Sequence, residues 1–331
     1  MVWDLRFRAM GTRAHVLIEG PPELLPLACR EIDRLDRLWS RFIADSDVSR
    51  LNGAGGSPVE VAPATVELIA RAAEGWQITE GLFDPTLLNE VVAAGYDRDF
   101  DEVRATGGGP APARAPLRPA APGLPVLVDP ASSRASVAVE VGFDSGGIGK
   151  GLGADLVADA LRHEGATAAM VNLGGDLRAA GAPADGPWKV GLDNPFEPTA
   201  PPPVQLVLRD GALATSTSLV RRWRQHGEER HHLIDPRTGR PCESDVASVS
   251  VVADQGWRAE ALAKAALLVG VERALPLLTA NGATGLVVDW QGRIHPAPGL
   301  QPYLSMPERQ LASITLKQQT VSRFQIRIPA G

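Results

Sequence analysis

Phe143-Asp144-Ser145-Gly146-Gly147-Ile148-Gly149-Lys150-Gly151-Leu152-Gly153-Ala154-Asp155 sets glycine at every second position or closer between 146 and 153. The alternating run Ala135 to Phe143 precedes it, and the spacing Ala154, Val157, Leu161 follows, so strand, tight turn and helix start are expected in that order. Backbone N–H groups and the positive end of a helix dipole converge at such a turn, which suits a phosphate-bearing ligand. Lys150 would add a positive charge. The glycine spacing fits neither the dinucleotide fingerprint nor a Walker A loop. A glycine turn also serves simply to let a helix pack closely on a strand, so both uses stay open at this point.

Outward from the turn, the chain mixes runs of strands with helices. Leu5 to Gly20 reads as strands broken at Met10-Gly11-Thr12, and Ala28, Ile32, Leu35, Trp39 and Phe42 form one apolar helical stripe ending at Ser40-Arg41-Phe42. Asp45 to Gly56 reads as a loop, Ala64 to Trp76 as a helix, and Arg104 to Pro125, rich in Ala, Pro and Gly, as an exposed insertion. Val126 to Val141 alternates like strands. Further strands are expected at Ala168 to Leu173, Trp188 to Leu192, Val204 to Leu208, Ala212 to Thr215, His232 to Ile234 and Ala247 to Val252. Helices follow at Arg258 to Val269 and Glu272 to Thr279, then a hairpin pairing Gly285 to Asp289 with Arg293 to His295. The tail from Gln301 to Gly331 alternates at Ile314 to Leu316 and Phe324 to Ile328. Strands that come in runs favour an α+β fold over a doubly wound sheet.

The 331 residues, 44% hydrophobic, suffice for a sizeable core, and a net charge of -6 argues against a nucleic-acid partner. Cys29 and Cys242 lie far apart, which suggests neither a zinc site nor a disulfide framework. The start runs straight into the alternating Trp3 to Arg8 without an apolar signal region or lipobox cysteine, and no apolar span matches a bilayer. A cytoplasmic protein without membrane insertion is expected.

Two more segments carry chemistry-bearing residues. His231-His232-Leu233-Ile234-Asp235-Pro236-Arg237-Thr238-Gly239-Arg240-Pro241 places an imidazole before an Asp-Pro turn, where it serves either as a general base toward a hydroxyl or as a packed strand residue. Thr215-Ser216-Thr217 offers hydroxyl donors for phosphate oxygens, or a capped turn.

Taken in order, Met10-Gly11-Thr12, Ser40-Arg41-Phe42 with Asp45 to Asn52, Phe83-Asp84-Pro85-Thr86, Gly95-Tyr96-Asp97, Asp144 to Gly151, Val171-Asn172-Leu173-Gly174-Gly175-Asp176, Thr215-Ser216 and His232 to Pro241 resemble the ApbE-type FAD:protein FMN transferases. The resemblance runs from about Met10 to His295. It implies a T-fold-like arrangement of mainly antiparallel sheets and helices around a central FAD cleft, with residues 1–300 as the transferase domain and 301–331 as an extension. It also implies attack by a Thr or Ser hydroxyl of a flavin-accepting protein on the FMN-side phosphorus of FAD, with release of AMP. By position, Met10, Asp84, Asp144, Ser145, Gly146, Gly147, Lys150, Asn172, Thr215 and Ser216 would line the FAD pocket, and His232 would accept the hydroxyl proton.

In that family a magnesium ion is held by a backbone carbonyl of the glycine turn, here Gly149, and by an Asp and a Thr in an Ala-Asp-Ala-Leu-Ala-Thr-Ala helix. This chain reads Ala259-Glu260-Ala261-Leu262-Ala263-Lys264-Ala265 instead. Glu260 and Lys264 share a helix face and are expected to pair. A charged ammonium has no lone pair for a metal, so Lys264 is expected to put its charge where the ion would sit and to act in its place. A second departure is Thr217, where the family has Gly. Three readings follow: an FMN transferase with altered metal dependence, a relative that holds FAD without transferring it, and a hydrolase that cleaves FAD to FMN and AMP.

Overall fold

The computed structural model describes residues 1–109 and 123–316. Strands β1 (Val2–Ala9) and β2 (Thr12–Glu19) form a hairpin whose turn places Met10 and Gly11 at φ of 50° and 64°, the left-handed pair that a two-residue hairpin turn needs. Helix α1 (Leu24–Trp39) buries Ala28, Ile32, Leu35 and Trp39 of the stripe read from the sequence, whereas Phe42, its last expected member, lies beyond the helix end and is exposed. The expected loop over Asp45 to Gly56 contains a helix instead, α2 (Asp47–Gly53). Ser46 caps it by accepting from the Ser49 N–H at 3.0 Å, while Val48 and Leu51 bury its inner face. Asp47 is buried too, accepting from the Ala62 N–H and the Thr65 hydroxyl, so a polar run hid a packed helix.

Next come β3 (Val59–Glu60), α3 (Pro63–Ile78), α4 (Leu88–Ala93) and α5 (Phe100–Thr106). The insertion read over 104–125 thus begins inside a helix, and its stretch 110–122 lies outside the described residues. Strands β4 (Val126–Asp129) and β5 (Arg134–Val137) stop short of the alternation read to Phe143, because the chain turns away at Glu140 with φ of 70°. Then follow α6 (Gly149–His163), β6 (Ala168–Leu173), β7 (Asp176–Ala180), β8 (Trp188–Leu192), β9 (Val204–Leu208) and β10 (Gly211–Thr217). Two small hairpins follow, β11 (Arg222–Gln225) with β12 (Glu228–His231) and β13 (Ile234–Asp235) with β14 (Arg240–Pro241). The strand expected over His232 to Ile234 is therefore split, with His232 at the break. Strand β15 (Val246–Ala253), helices α7 (Gly256–Val269) and α8 (Val271–Ala280), and strands β16 (Thr284–Asp289) and β17 (Ile294–Pro296) complete the order.

The central sheet has eight antiparallel strands in the order β1-β2-β6-β7-β10-β15-β16-β17. This is the mainly antiparallel α+β architecture expected. One face packs α1 and α6 over Val16, Ile18 and Val171, and α7 with α8 over Ala214, Val249 and Val251. The other face is covered by the β8–β9 hairpin and by Leu300, Leu304, Leu311 and Leu316, so the described part of the 301–331 extension is packed on the sheet. The alternation read at Phe324 to Ile328 lies outside the described residues. A fourth cluster, with Val91, Tyr96, Val103 and Trp223, sits under α4, α5 and β11. No described helix is long and apolar enough to cross a membrane.

One contact positions the site more than any other. A Cβ at Gly151 would meet the Gly256 carbonyl oxygen at 2.3 Å, and one at Gly256 would meet the Gly151 oxygen at 2.5 Å. Helices α6 and α7 therefore cross backbone to backbone, a distance only glycine permits. One turn beyond Gly256, Glu260 is thereby delivered to the first turn of α6.

Candidate active site

A cavity of about 320 Å³ opens between the helix-covered face of the sheet and the α4–α5 lobe. Its wall takes Met10 from the β1–β2 turn, Asp84 from the connection before α4, and Asp144, Ser145, Gly146, Gly147, Gly149 and Lys150 from the glycine turn. His232 enters from the break between β12 and β13, and Lys264 from α7. The turn is a short 3-10 helix, Ser145–Gly147, running into α6. Asp144 accepts from the Gly146 N–H at 2.9 Å, and the Ser145 hydroxyl donates to the Trp39 carbonyl at 2.7 Å, tying the turn to α1. A Cβ at Gly147 would stand 2.8 Å from the Phe83 ring and 3.5 Å from Lys264 Cε, so this glycine leaves room for the lysine stem.

Behind the turn lies a buried charge network. Glu260, 1% exposed, accepts at Oε1 from Lys150 Nζ (2.6 Å) and Lys264 Nζ (3.0 Å), and at Oε2 from the Gly151 N–H (2.8 Å). Lys150 also reaches Asp176 Oδ2 at 2.6 Å. The Glu260–Lys264 pair expected from their spacing is present, but Lys150 shares it, and its charge is matched by protein carboxylates. Burial alone would push the Glu260 carboxyl up, yet the two ammonium groups outweigh it and hold its pKa down to about 2. Burial likewise opposes the charge on Lys150, but Asp176 and Glu260 raise its pKa above the usual lysine range. Lys264 moves the other way, because its burial is only partly offset by Glu260.

His232 is half-buried, and its Nδ1 is enclosed without a hydrogen-bond partner among the described residues. Burial lowers its pKa well below 6.5, and the nearby charges of Arg221 and Lys264 push the same way. The ring lines the cavity and is held neutral, the form that takes a proton, while the enclosed Nδ1 is not itself open to the cavity.

Asn172, Thr215 and Ser216 are not brought to the cavity wall. Asn172 Oδ1 accepts from the Gly175 N–H at 2.8 Å, closing the β6–β7 turn, and the Thr215 and Ser250 hydroxyls bond each other at 2.9 Å. Strand alternation sends Thr215 and Ser216 to opposite faces of the sheet, so the two side chains cannot serve one pocket. Glu260 lies behind the wall. Conversely, Arg41, Phe42, Tyr96, Phe100 and Arg221 line the mouth without having been assigned there from sequence. The Arg41 guanidinium sits 4.3 Å over the Phe42 ring and 4.6 Å over Tyr96, and Arg221 donates to the Tyr96 hydroxyl at 3.2 Å. The motifs Ser40-Arg41-Phe42 and Gly95-Tyr96-Asp97 were visible, but nothing in their spacing showed that they meet.

The chain is similar to an FAD:protein FMN transferase of Vibrio cholerae, 30% identical over 288 residues that cover 83% of this chain and 84% of the relative. Among solved structures it is similar to the ApbE protein of Thermotoga maritima, with a TM-score of 0.80 at 26% identity over 92% of this chain and 99% of that one. The flavin transferase ApbE from Vibrio cholerae matches with a TM-score of 0.77, also at 26% identity, over 92% and 99% of the two chains. Residues 10–287 match the ApbE family model, and they include the glycine turn, His232 and the α7 lysine on their shared cavity, so this chain belongs to the ApbE family.

Proposed function

We propose that this chain is an FAD:protein FMN transferase, carried by residues 1–300. The observation that carries the reading is the convergence of the glycine turn, His232 and Lys264, from three distant parts of the sequence, on one cavity. FAD is the substrate, with its pyrophosphate beside the turn from Asp144 to Lys150 and Met10 and Asp84 on the walls. A Thr or Ser hydroxyl of the acceptor protein attacks the FMN-side phosphorus. The new oxygen–phosphorus bond forms as the bond to AMP breaks, AMP leaves with the electron pair, and the hydroxyl proton passes to His232. Phosphoryl transfer asks the protein mainly to position groups and to steady charge on phosphate oxygens.

The test is incubation with FAD and a flavin-accepting protein, followed by mass spectrometry of the acceptor and chromatography of nucleotides. Covalent FMN on the acceptor with an equal amount of AMP is expected. Unchanged FAD would leave a flavin-holding protein, and free FMN plus AMP despite the acceptor would leave a hydrolase; either overturns the reading.

The residues at the family's metal position do not fit a dication. Both Glu260 oxygens are already engaged, and two ammonium groups face the same carboxylate. Lys264 therefore provides the positive charge on the cavity wall, and no step here runs through magnesium. We expect transfer to be unchanged by EDTA, and calorimetry on the FAD-loaded protein to show no magnesium binding. Glu260→Asp with Lys264→Thr is expected to introduce magnesium binding. Magnesium binding by the unaltered protein, or loss of FAD affinity in EDTA, would refute this.

A further inference from the structure

The outer edge of β1 has no strand beside it among the described residues, since β1 ends the eight-stranded order. The ladder on its inner side determines which backbone groups point outward. On the β6 side of β2, the Gly174 N–H donates to the Arg13 carbonyl and the Thr167 N–H to the Glu19 carbonyl. Odd-numbered residues of β2 thus turn toward β6, and by the alternation of an antiparallel ladder the even-numbered ones turn toward β1. Leu5 stands opposite Val16 and Phe7 opposite Ala14, so Trp3, Leu5 and Phe7 bond β2. Val2, Asp4, Arg6 and Arg8 carry their N–H and C=O groups outward.

The side chains of this edge are self-complementary. Trp3, Leu5 and Phe7 extend the helix-covered apolar face beyond the last buried residues of β2, and Trp3 remains 39% exposed. Asp4, Arg6 and Arg8 are exposed on the opposite face. We propose that β1 pairs antiparallel with β1 of a second copy of this chain, about a two-fold axis through Leu5, so that two sheets join into one. Leu5 then faces its counterpart, Trp3 faces Phe7, and Asp4 faces Arg6 twice over, once on each side of the axis. This register uses the outward backbone groups of Val2, Asp4, Arg6 and Arg8 as hydrogen-bonded pairs.

Charge specifies the register. Moving the axis by one residue sets Asp4 against Asp4 or Arg6 against Arg6, and like charges directly opposite destabilise a strand pair. The partners Asp4 already has, Arg6 at 3.5 Å and His15 at 3.2 Å, are at the surface and leave the edge open. Charges on an edge strand also serve to keep copies apart. That alternative makes the chain a monomer, an outcome the test distinguishes.

Sedimentation velocity of the full chain over a range of concentrations tests the proposal. A species of twice the 35.0 kDa chain mass is expected. Asp4→Arg is expected to weaken the dissociation constant by about tenfold or more, since it turns two attractive pairs into two repulsive ones. Asp4→Arg with Arg6→Asp restores opposite charges across the axis, and restored dimerisation is expected. Circular dichroism of each variant verifies folding. A monomer at every concentration, a dimer indifferent to Asp4→Arg, or no recovery in the charge-swapped variant would overturn it. A chain ending at Leu316 should dimerise like the full chain; a difference between the two would assign the edge or the interface to residues 317–331 instead.

Discussion

His232→Ala is expected to slow flavin transfer by about 10²- to 10⁴-fold, the usual contribution of a positioned general base, while FAD affinity stays close to that of the parent. The imidazole lines the cavity, and its depressed pKa, set mainly by burial, keeps it neutral. Neutral histidine is the form that accepts the hydroxyl proton. Its pKa lies below 6.5 in the free protein, so activity is lost only as pH falls through that lower value. The acid limb of kcat/KM, which reports the free enzyme, should therefore lie below pH 6.5 and vanish in the alanine variant. Rates from rapid-quench assays with flavin fluorescence on the acceptor check both points. An unchanged rate in His232→Ala would remove the base from this residue.

Glu260→Gln should be the most damaging change to the scaffold, costing about 3–5 kcal/mol in unfolding free energy, because it removes one partner from a buried ion network. The parent carboxylate receives Lys150, Lys264 and the Gly151 N–H; the amide keeps the shape but leaves two ammonium groups facing Asp176 alone. The carboxyl pKa is depressed from 4.5 to about 2, so its stabilisation is fully present above 4.5 and disappears as pH falls toward 2. The variant should lack this part of the acid-side slope. Urea unfolding at neutral and acidic pH measures it, and a loss below about 1 kcal/mol would show that the network matters little to stability.

Much of the site could be read in the order of short motifs. The glycine turn, Met10, Asp84 and His232 all reach the cavity, and the Glu260–Lys264 pair followed from two residues one helical turn apart. Helices with a clean apolar stripe, such as α1, were equally visible. The helix over Asp47 to Gly53 was not, because its burial depends on Asp47 finding Ala62 and Thr65 across a loop. Thr215 and Ser216 looked like a pair of phosphate donors, yet a strand turns consecutive side chains to opposite faces.

Composition and local spacing pointed to an α+β chain, and the order of its short motifs, among them a glycine turn and a histidine, carried the resemblance to the ApbE family. They could not show that Lys150 is tied to Glu260, 110 residues away, or that the aromatic and guanidinium groups of residues 41, 96 and 221 form the mouth of one cavity. Those facts depend on where helices and loops cross. Periodicity governs neighbours within one turn of a helix or one step of a strand; the meeting of Gly151 with Gly256 is a matter of packing, and it brings the Glu260 carboxylate to Lys150.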